Sequence, residues 1–192
     1  TAKILQALEG VKQMRESVDA LLVINNQRLI EVYKNFTVSE AFAKADDTLS
    51  NAARGISELV NIAGEVNLDF ADVDTVLRGG GVAVINTGYA EGEDRMTLAI
   101  QEALNSPLLN NNNISKARQL LINVYYDDKA PLTVDEFSQI HEFTSEFSDE
   151  VNTIHGISRK EGLGTKLGVT ILASGFGFDE DIFLPTTPKA KD

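Results

Sequence analysis

The most regular pattern of apolar and polar positions runs from Ser39 to Ala63. Apolar residues recur there every three or four positions and form one stripe, which predicts a helix with one buried face. The stripe consists of Phe42, Ala45, Leu49, Ala52, Ala53, Ile56, Leu59, Val60 and Ala63. Thr37 and Glu40 stand at the spacing of a capping box, so the helix is expected to begin there. About 24 residues at ~1.5 Å each span ~36 Å, which is enough to cross a domain.

The chain before this helix has the pattern of an α/β fragment. Residues 2–17 repeat apolar positions at helical spacing, and residues 18–24 form a short apolar run. Such a run is typical of a strand buried on both faces of a parallel sheet, and residues 27–33 predict a short helix. Ligands of open α/β sheets bind at the carboxyl ends of strands, so Asn25 and Asn26 are candidate ligand contacts. A simple turn at these asparagines is the more conservative interpretation.

After the long helix, strands and helices alternate, which predicts a smaller α/β domain with a sheet of about four strands. The predicted strands are residues 82–85, 120–126, 151–157 and 167–173, and the predicted helices begin near residues 69, 93 and 133. Gly55 weakens the long helix, which predicts that another element passes close to it. Gly64 is expected to end that helix, and Gly88 and Gly92 are expected to bracket a turn.

The triplet Gly79-Gly80-Gly81 invites interpretation as a phosphate-binding loop, but the pattern contradicts it. No Lys-Ser/Thr pair follows, and the next predicted element is a strand rather than a helix. These glycines are expected to end a helix and turn the chain.

Composition narrows the possible functions. The chain has 192 residues, 43% hydrophobic and 24% charged, as expected of a globular protein with a sizeable core. It has no cysteine, which excludes cysteine zinc sites, iron–sulfur clusters and thiol catalysis. His141 and His155 are far apart in sequence, so no metal site is expected. The net charge of −12 argues against nucleic acid and anionic membranes as partners. These features favour a cytoplasmic protein.

One candidate site lies on the long helix. Asp46 is only ~40° around the helix from Phe42, at the edge of the apolar stripe. A carboxylate in that place needs a partner, which a salt bridge or water could provide. The alternative is a ligand that stacks on Phe42 and donates hydrogen bonds to Asp46, such as a purine base with N–H donors.

A second candidate site is the stretch Asn67-Leu68-Asp69-Phe70-Ala71-Asp72. Asp69 and Asp72 are spaced as the N-cap and the third residue of a helix. Capping bonds and the helix dipole favour acidic residues there and explain both without any catalytic role. From spacing alone, this structural interpretation is the simpler one.

Several segments, in order along the chain, resemble the FtsZ family, the tubulin-like cell-division GTPases of bacteria. Residues 67–73 resemble the synergy loop of that family, and residues 41–47 and 55–59 resemble its central helix. Residues 88–95 resemble its Gly-x-x-x-Gly-Glu-x-Arg segment. Further blocks are residues 106–109 and 173–176, and the similarity runs from about residue 2 to residue 177.

The resemblance implies a division of the chain into four parts. Residues 1–38 would be the C-terminal remnant of a Rossmann-like GTP-binding domain, and residues 39–63 the central helix. Residues 64–177 would form the tubulin/FtsZ-like C-terminal domain, with the synergy loop at residues 64–72. Residues 178–192 would begin a disordered linker. The rest of the nucleotide-binding domain and a C-terminal regulatory peptide would lie in a longer protein.

The resemblance also implies roles for the candidate residues. Phe42 and Asp46 match residues that stack on and hydrogen-bond guanine, and Asn26 matches a residue that lines the nucleotide site.

Asn67, Asp69 and Asp72 match the loop that enters the nucleotide site of the next subunit. The carboxylates there would orient and polarise the water that attacks the γ-phosphate.

The implied substrate is GTP, bound mostly by the remainder of the nucleotide domain, with Mg²⁺ as a candidate ion in the full-length protein. The implied partners are further copies in a head-to-tail filament, together with membrane tethers and regulators that bind the C-terminal peptide. No nucleic acid and no direct membrane insertion are expected. The protein would act in the cytoplasm at the division site, and the fragment alone is expected to be inactive.

Two alternatives remain open at the level of sequence. One is a non-enzymatic assembly or regulatory module with the same fold. The other is a small-molecule-binding α/β domain that uses Phe42 and Asp46 without hydrolysis. The chain also departs from the family pattern: Asn25 replaces a common Pro, Lys3 replaces an Arg, and Tyr125 and Tyr126 replace a glycine-rich stretch.

Overall fold

The computed structural model of the chain describes residues 2–23, 35–104, 114–145, 147 and 150–176. Asn25, Asn26, the helix predicted at residues 27–33 and the linker predicted at residues 178–192 lie outside the described residues.

Helices and strands alternate along the described chain, as predicted. The helices are α1 (Ala2–Arg15), α2 (Val38–Asn61), α3 (Phe70–Leu77), α4 (Arg95–Leu104) and α5 (Val134–Ser145), with a short 3-10 helix at Ile114–Lys116. The strands are β1 (Ala20–Leu21), β2 (Gly64–Val66), β3 (Gly81–Ala90), β4 (Gln119–Tyr126), β5 (Asn152–Arg159) and β6 (Leu167–Phe176). None of the helices among the described residues has both the length and the apolar character needed to cross a bilayer.

The described strands form one mixed six-stranded sheet in the order β1-β3-β6-β4-β5-β2. Its centre is the four long strands β3, β6, β4 and β5, which correspond to the predicted sheet of about four strands. Short strands β1 and β2 extend it at the two edges, β1 parallel to β3 and β2 antiparallel to β5. The prediction that residues 18–24 form a strand buried on both faces is wrong in extent. Among the described residues of that run, 18–23, only Ala20 and Leu21 pair, and both are half-buried at the edge of the described sheet.

Helices cover both faces of the sheet, and strand residues alternate between the two resulting cores. On one face, Ile122 and Val124 of β4 pack with α4 and α5 through Met96, Ile100 and Ile140. On the other face, Leu121 of β4 and Leu172 of β6 pack with α2 and α3 through Ala52, Leu59, Val73 and Val76. The long helix and the loop after it therefore lie on one side of the sheet, away from α4 and α5.

Several glycines mark close approaches of other elements. A Cβ at Gly55 would lie 3.2 Å from Cδ1 of Ile85, so β3 is the close neighbour predicted for α2. Gly64 does not end α2, which stops at Asn61 with Ile62 as its C-cap. It begins β2, where any side chain would meet the carbonyl oxygen of Ile157.

The predicted turn between Gly88 and Gly92 is also wrong at its first residue. Gly88 lies inside β3, where the absence of a side chain lets the backbone of α4 approach the sheet at Ala99. Gly92 has φ 99° and does turn the chain. Gly79 and Gly81, with φ 63° and 67°, follow α3 and lead into β3 as predicted.

The two histidines, far apart in sequence, are neighbours in the fold. The ring centroids of His141 on α5 and His155 on β5 are 5.7 Å apart. Burial, and then the neighbouring His141, lower the pKa of His155. The two residues meet because β5 follows α5 in the chain and packs next to it.

Candidate functional site

The loop from Asn67 to Asp72 is held at its base by a local hydrogen bond and by a packing contact with the sheet. The backbone N–H of Gly64 donates to Oδ1 of Asn67 at 2.9 Å, which closes the turn after β2. Leu68 is 4% exposed and packs in the space above Gly156 of β5. A Cβ at Gly156 would lie 2.5 Å from Cγ and Cδ1 of Leu68. Leu68 thus anchors the loop to the sheet, while Phe70 and the polar residues of the loop remain at the surface.

The two aspartates form the capping box of α3, as their spacing predicted. Oδ1 of Asp69 accepts hydrogen bonds from the N–H groups of Ala71 and Asp72, at 2.7 and 3.1 Å. Oδ2 of Asp72 accepts from the N–H of Asp69 at 2.9 Å. These bonds fix both carboxylates relative to the helix axis. The cap explains their geometry, but it uses only one oxygen of each.

The remaining oxygens of this pair are available to another molecule. Within the described part of the chain, no group donates a hydrogen bond to Oδ2 of Asp69 or Oδ1 of Asp72, and neither residue forms an ion pair. Asp69 is exposed and Asp72 is half-buried. The positive end of the α3 dipole helps to stabilise the two charges. Two fixed carboxylate oxygens facing an open surface can accept hydrogen bonds from water or contribute to cation binding.

The loop alone is not a complete catalytic centre. Among the residues that the structure describes, no group of three or more His, Asp or Glu side chains is arranged to hold a metal ion.

Phe42 and Asp46 lie elsewhere, near the N-terminal end of α2. Phe42 is 52% exposed, and Asp46 is exposed and takes part in no hydrogen bond or ion pair with the described residues. Leu49, on the same stripe, is also exposed, whereas Ala52 and Leu59 are buried against the sheet. The apolar stripe therefore continues beyond the surface that the described part of the chain covers. Asn26 lies outside the described residues.

The structure does not bring the two candidate sites together. From Phe42 to Asn61 the helix rises ~28 Å, at ~1.5 Å per residue, before the chain enters β2 and the loop. Phe42 and Asp46 thus lie near one end of α2, and the Asp69–Asp72 pair follows the other end.

Two features that sequence reasoning missed support this helix and loop. The Glu58 carboxylate of α2 accepts two hydrogen bonds from Nζ of Lys160, each 2.8 Å, which ties the helix to the end of β5. The hydroxyl of Tyr126 on β4 donates to Oε1 of Glu65 on β2. Both contacts join residues more than sixty positions apart, so no local pattern could reveal them.

Comparisons with known proteins agree with this architecture. The family model described as "FtsZ family, C-terminal domain" matches residues 81–177. The cell division protein FtsZ of Porphyromonas gingivalis is 56% identical over 177 residues, which cover 92% of this chain and 39% of that relative. The chain therefore spans about two fifths of the length of this relative.

Solved structures show the same fold. An empty FtsZ dimer from M. jannaschii matches with a TM-score of 0.79 and 31% identity, covering 98% of this chain and 57% of that one. A helical structure titled as a TubZ-Bt four-stranded filament matches with a TM-score of 0.74, covering 94% of this chain and 50% of that one. Because its identity is only 13%, this TM-score shows a common fold and no more.

Proposed function

Because the chain belongs to the FtsZ family of cell-division proteins, we propose that it carries two halves of a GTP-hydrolysing site, which is completed between successive subunits of a filament. In this proposal the loop at residues 64–72 serves the nucleotide of the next subunit. Phe42, Asp46 and Asn26 belong to the site that holds the chain's own nucleotide. The full-length protein would act at the division site, and membrane tethers and regulators would bind a segment beyond residue 192.

The observation that carries the proposal is the separation of two incomplete, exposed sites along α2. An exposed aromatic–carboxylate pair lies toward one end, and an exposed, rigidly capped carboxylate pair follows the other. Neither can act on the other within one chain, since ~28 Å of helix lies between them. Head-to-tail repetition of the chain would bring one end of each copy to the opposite end of the next and would generate an open filament.

The domain division follows the same logic. In this proposal, residues 1–38 complete a GTP-binding domain whose larger part precedes them. Helix α2 connects the two domains, and residues 64–177 carry the loop. By itself, the chain would lack most contacts to GTP and would be inactive.

The loop's residues would contribute position and charge rather than covalent chemistry. The free oxygens of Asp69 and Asp72 would accept hydrogen bonds from the attacking water and polarise it. The amide N–H₂ of Asn67, whose oxygen is engaged by Gly64, would donate to a phosphate oxygen. Phosphoryl transfer depends mainly on such positioning and electrostatics. The capping bonds matter because they hold the carboxylates in place before the water arrives.

Mg²⁺ would neutralise phosphate charge in the full-length protein. Carboxylate oxygens are ligands that this ion accepts, but the described residues include no cluster of three. Any such ion would be held chiefly by the nucleotide and by the rest of the GTP-binding domain.

The decisive experiment removes charge from the loop and keeps the cap. In the full-length protein, Asp69→Asn and Asp72→Asn retain a side-chain oxygen for the capping bonds, since Asn caps about as well as Asp. GTP turnover per unit of polymer is expected to fall about 100- to 1,000-fold. The matched control is Asp135→Asn, which removes a first-turn carboxylate from α5 on the opposite face of the sheet. Unchanged turnover at equal polymer mass would contradict the proposal.

A mixing experiment tests whether the two halves act between subunits. Asp72→Asn impairs the loop and keeps the chain's own nucleotide site, whereas Asp46→Ala impairs that nucleotide site and keeps the loop. In random copolymers of equal amounts, about a quarter of the interfaces combine an intact loop with an intact nucleotide site. The mixture should therefore recover up to about a quarter of the wild-type turnover, although each variant alone is nearly inactive. Recovery no greater than the average of the separate variants would exclude action in trans.

A further inference from the structure

The edge strand that leads into the loop is held weakly by its own backbone. Strand β2 has three residues and pairs with β5 through Gly64 and Val66, with an irregular register between them. Val66 is 45% exposed, and Glu65 is exposed. Short edge strands with few buried contacts are among the first segments to open in folded proteins. Asp69 follows only four residues after Glu65, so movement of β2 would move the loop.

A side chain from the centre of the sheet restrains this strand. Tyr126 is the last residue of β4 and pairs with Arg159 of β5. Since β5 lies between β4 and β2, the Tyr126 hydroxyl passes one strand to reach Oε1 of Glu65. The tyrosine is 5% exposed, and it belongs to a central strand in which every residue after Gln119 is buried. The hydrogen bond thus connects a rigid element to a weakly held one.

The protonation state of the tyrosine suits this role. The hydrogen bond to Glu65, and then burial, raise the pKa of Tyr126 above its usual value. The phenol therefore remains an O–H donor throughout the neutral range.

We propose that Tyr126 is a positioning residue, which holds the hydrolytic loop in register through Glu65. The inference rests on the function proposed above for Asp69 and Asp72. It also gives a role to a departure from the family pattern, since Tyr126 stands where the FtsZ resemblance predicts a glycine-rich stretch. A glycine there could not reach across β5, so this tether depends on the tyrosine of this chain.

The test is Tyr126→Phe in the full-length protein, which removes one hydroxyl and keeps the ring. A misplacement of about 1 Å at catalytic groups can cost about 100-fold in rate, so the smaller shift expected here should lower kcat per polymer about 3- to 10-fold. The KM for GTP should stay within about twofold, because the nucleotide is held by the other subunit. Amide hydrogen exchange at residues 64–72 should become faster, while the melting temperature falls by less than about 5 °C.

The adjacent tyrosine provides a matched control. The Tyr125 hydroxyl is buried near Asn123 and Thr170, and it has no hydrogen-bond partner among the described residues, those of β2 included. Tyr125→Phe should leave both kcat and exchange in the loop unchanged. Glu65→Gln keeps an acceptor oxygen and should retain most of the turnover, whereas Glu65→Ala should match Tyr126→Phe. The double variant Tyr126→Phe/Glu65→Ala should be no worse than either single variant, because both remove the same bond.

Two outcomes separate this inference from the proposed function. If Asp72→Asn lowers turnover but Tyr126→Phe behaves like Tyr125→Phe in kcat and in loop exchange, the positioning role is wrong and the proposed function stands. If Asp72→Asn leaves turnover unchanged, the proposed function fails and the positioning role fails with it. Additive effects of Tyr126→Phe and Glu65→Ala would also overturn the inference, since the two residues would then act separately.

Discussion

Helices α3 and α5 begin with the same local device but place it in different surroundings. In α5 the side-chain oxygen of Thr133 accepts from the N–H of Glu136, and the Glu136 carboxylate accepts from the N–H of Thr133. In α3, Asp69 and Asp72 exchange the equivalent bonds. The difference lies beyond the cap. Glu136 also pairs with Arg95, whose Nε lies 2.6 Å from Oε1, and the two side chains are only 14% and 8% exposed.

Arg95 uses its whole guanidinium in this buried contact. Besides Glu136, it donates to the carbonyl oxygens of Pro131 and Thr165, at 2.9 and 3.1 Å. It therefore joins α4, α5 and the loop before β6. The pairing with Arg95, followed by the bonds from Thr133, lowers the pKa of Glu136. Both oxygens of the Glu136 carboxylate are therefore engaged by Arg95 and Thr133. Asp69 and Asp72 each keep one oxygen without a partner among the described residues. The same capping pattern thus supports a buried ion pair in α5 and leaves carboxylate oxygens open for a candidate reaction site in α3.

The largest effect is expected from Arg95→Ala, which tests whether Glu136 depends on its buried partner. It leaves Glu136 as a largely buried charge without its partner, which costs about 3–5 kcal/mol. The free energy of unfolding, measured by denaturant titration of this chain, should fall by that amount. The N-terminal cap of α5 would remain, so the loss reports the tertiary contact rather than helix formation.

Arg78→Ala is the matched control. Arg78 also forms a two-bond contact with a carboxylate, through Nε and Nη2 to Asp74, but on the exposed surface of α3. Exposed pairs contribute little, so its effect should be far smaller than that of Arg95→Ala. Equal effects of the two substitutions would show that burial does not distinguish the two kinds of carboxylate.

A second prediction concerns the apolar anchor of the loop. Gly156→Ala would force its Cβ against Leu68 and the side-chain oxygen of Asn123. Such overpacking is expected to lower the free energy of unfolding by about 1–3 kcal/mol and to displace the loop from the sheet. The control is Gly10→Ala, since a Cβ at Gly10 meets nothing within 4 Å and alanine favours helix α1. A Gly156→Ala variant as stable as the Gly10→Ala variant would mean that Leu68 does not occupy a fixed recess.

The smallest expected effect is the pH dependence that His155 contributes. Because burial and His141 lower its pKa in the folded state, the folded chain binds fewer protons than the unfolded chain. This contribution to stability should be present at neutral pH and decline as the pH falls through about 6.5, the unfolded value. His155→Phe should remove that part of the slope when denaturant midpoints are measured between about pH 5 and 7.5.

Glu136 does not titrate within this pH window. Glu136 has a lowered pKa, so its contribution is lost only below about pH 4.5, where the unfolded-state carboxylate becomes protonated. A slope between pH 5 and 7.5 that persists in His155→Phe would therefore assign the effect to a group other than this histidine.

Local pattern predicted much of the fold and of the loop. The capping boxes at Thr37 and at Asp69, the length of α2, and the strand at residues 120–126 all follow from neighbours along the chain. The failures share one physical cause. Strand β2, the placement of Gly88 inside β3 and the His141–His155 contact depend on elements that meet only after the sheet is assembled. The roles proposed for Asn67, Asp69 and Asp72 came from the family resemblance and stay predictions.

The sequence by itself determined where these helices begin, because a cap is built from residues three positions apart and needs no other part of the protein. It also placed Asp69 and Asp72 at the first turn of α3. Only the tertiary structure decided that Glu136 is enclosed by Arg95 while the Asp69–Asp72 pair remains open. Burial and pairing of charge depend on which distant segments pack against a helix end, and the order of strands in the sheet controls that.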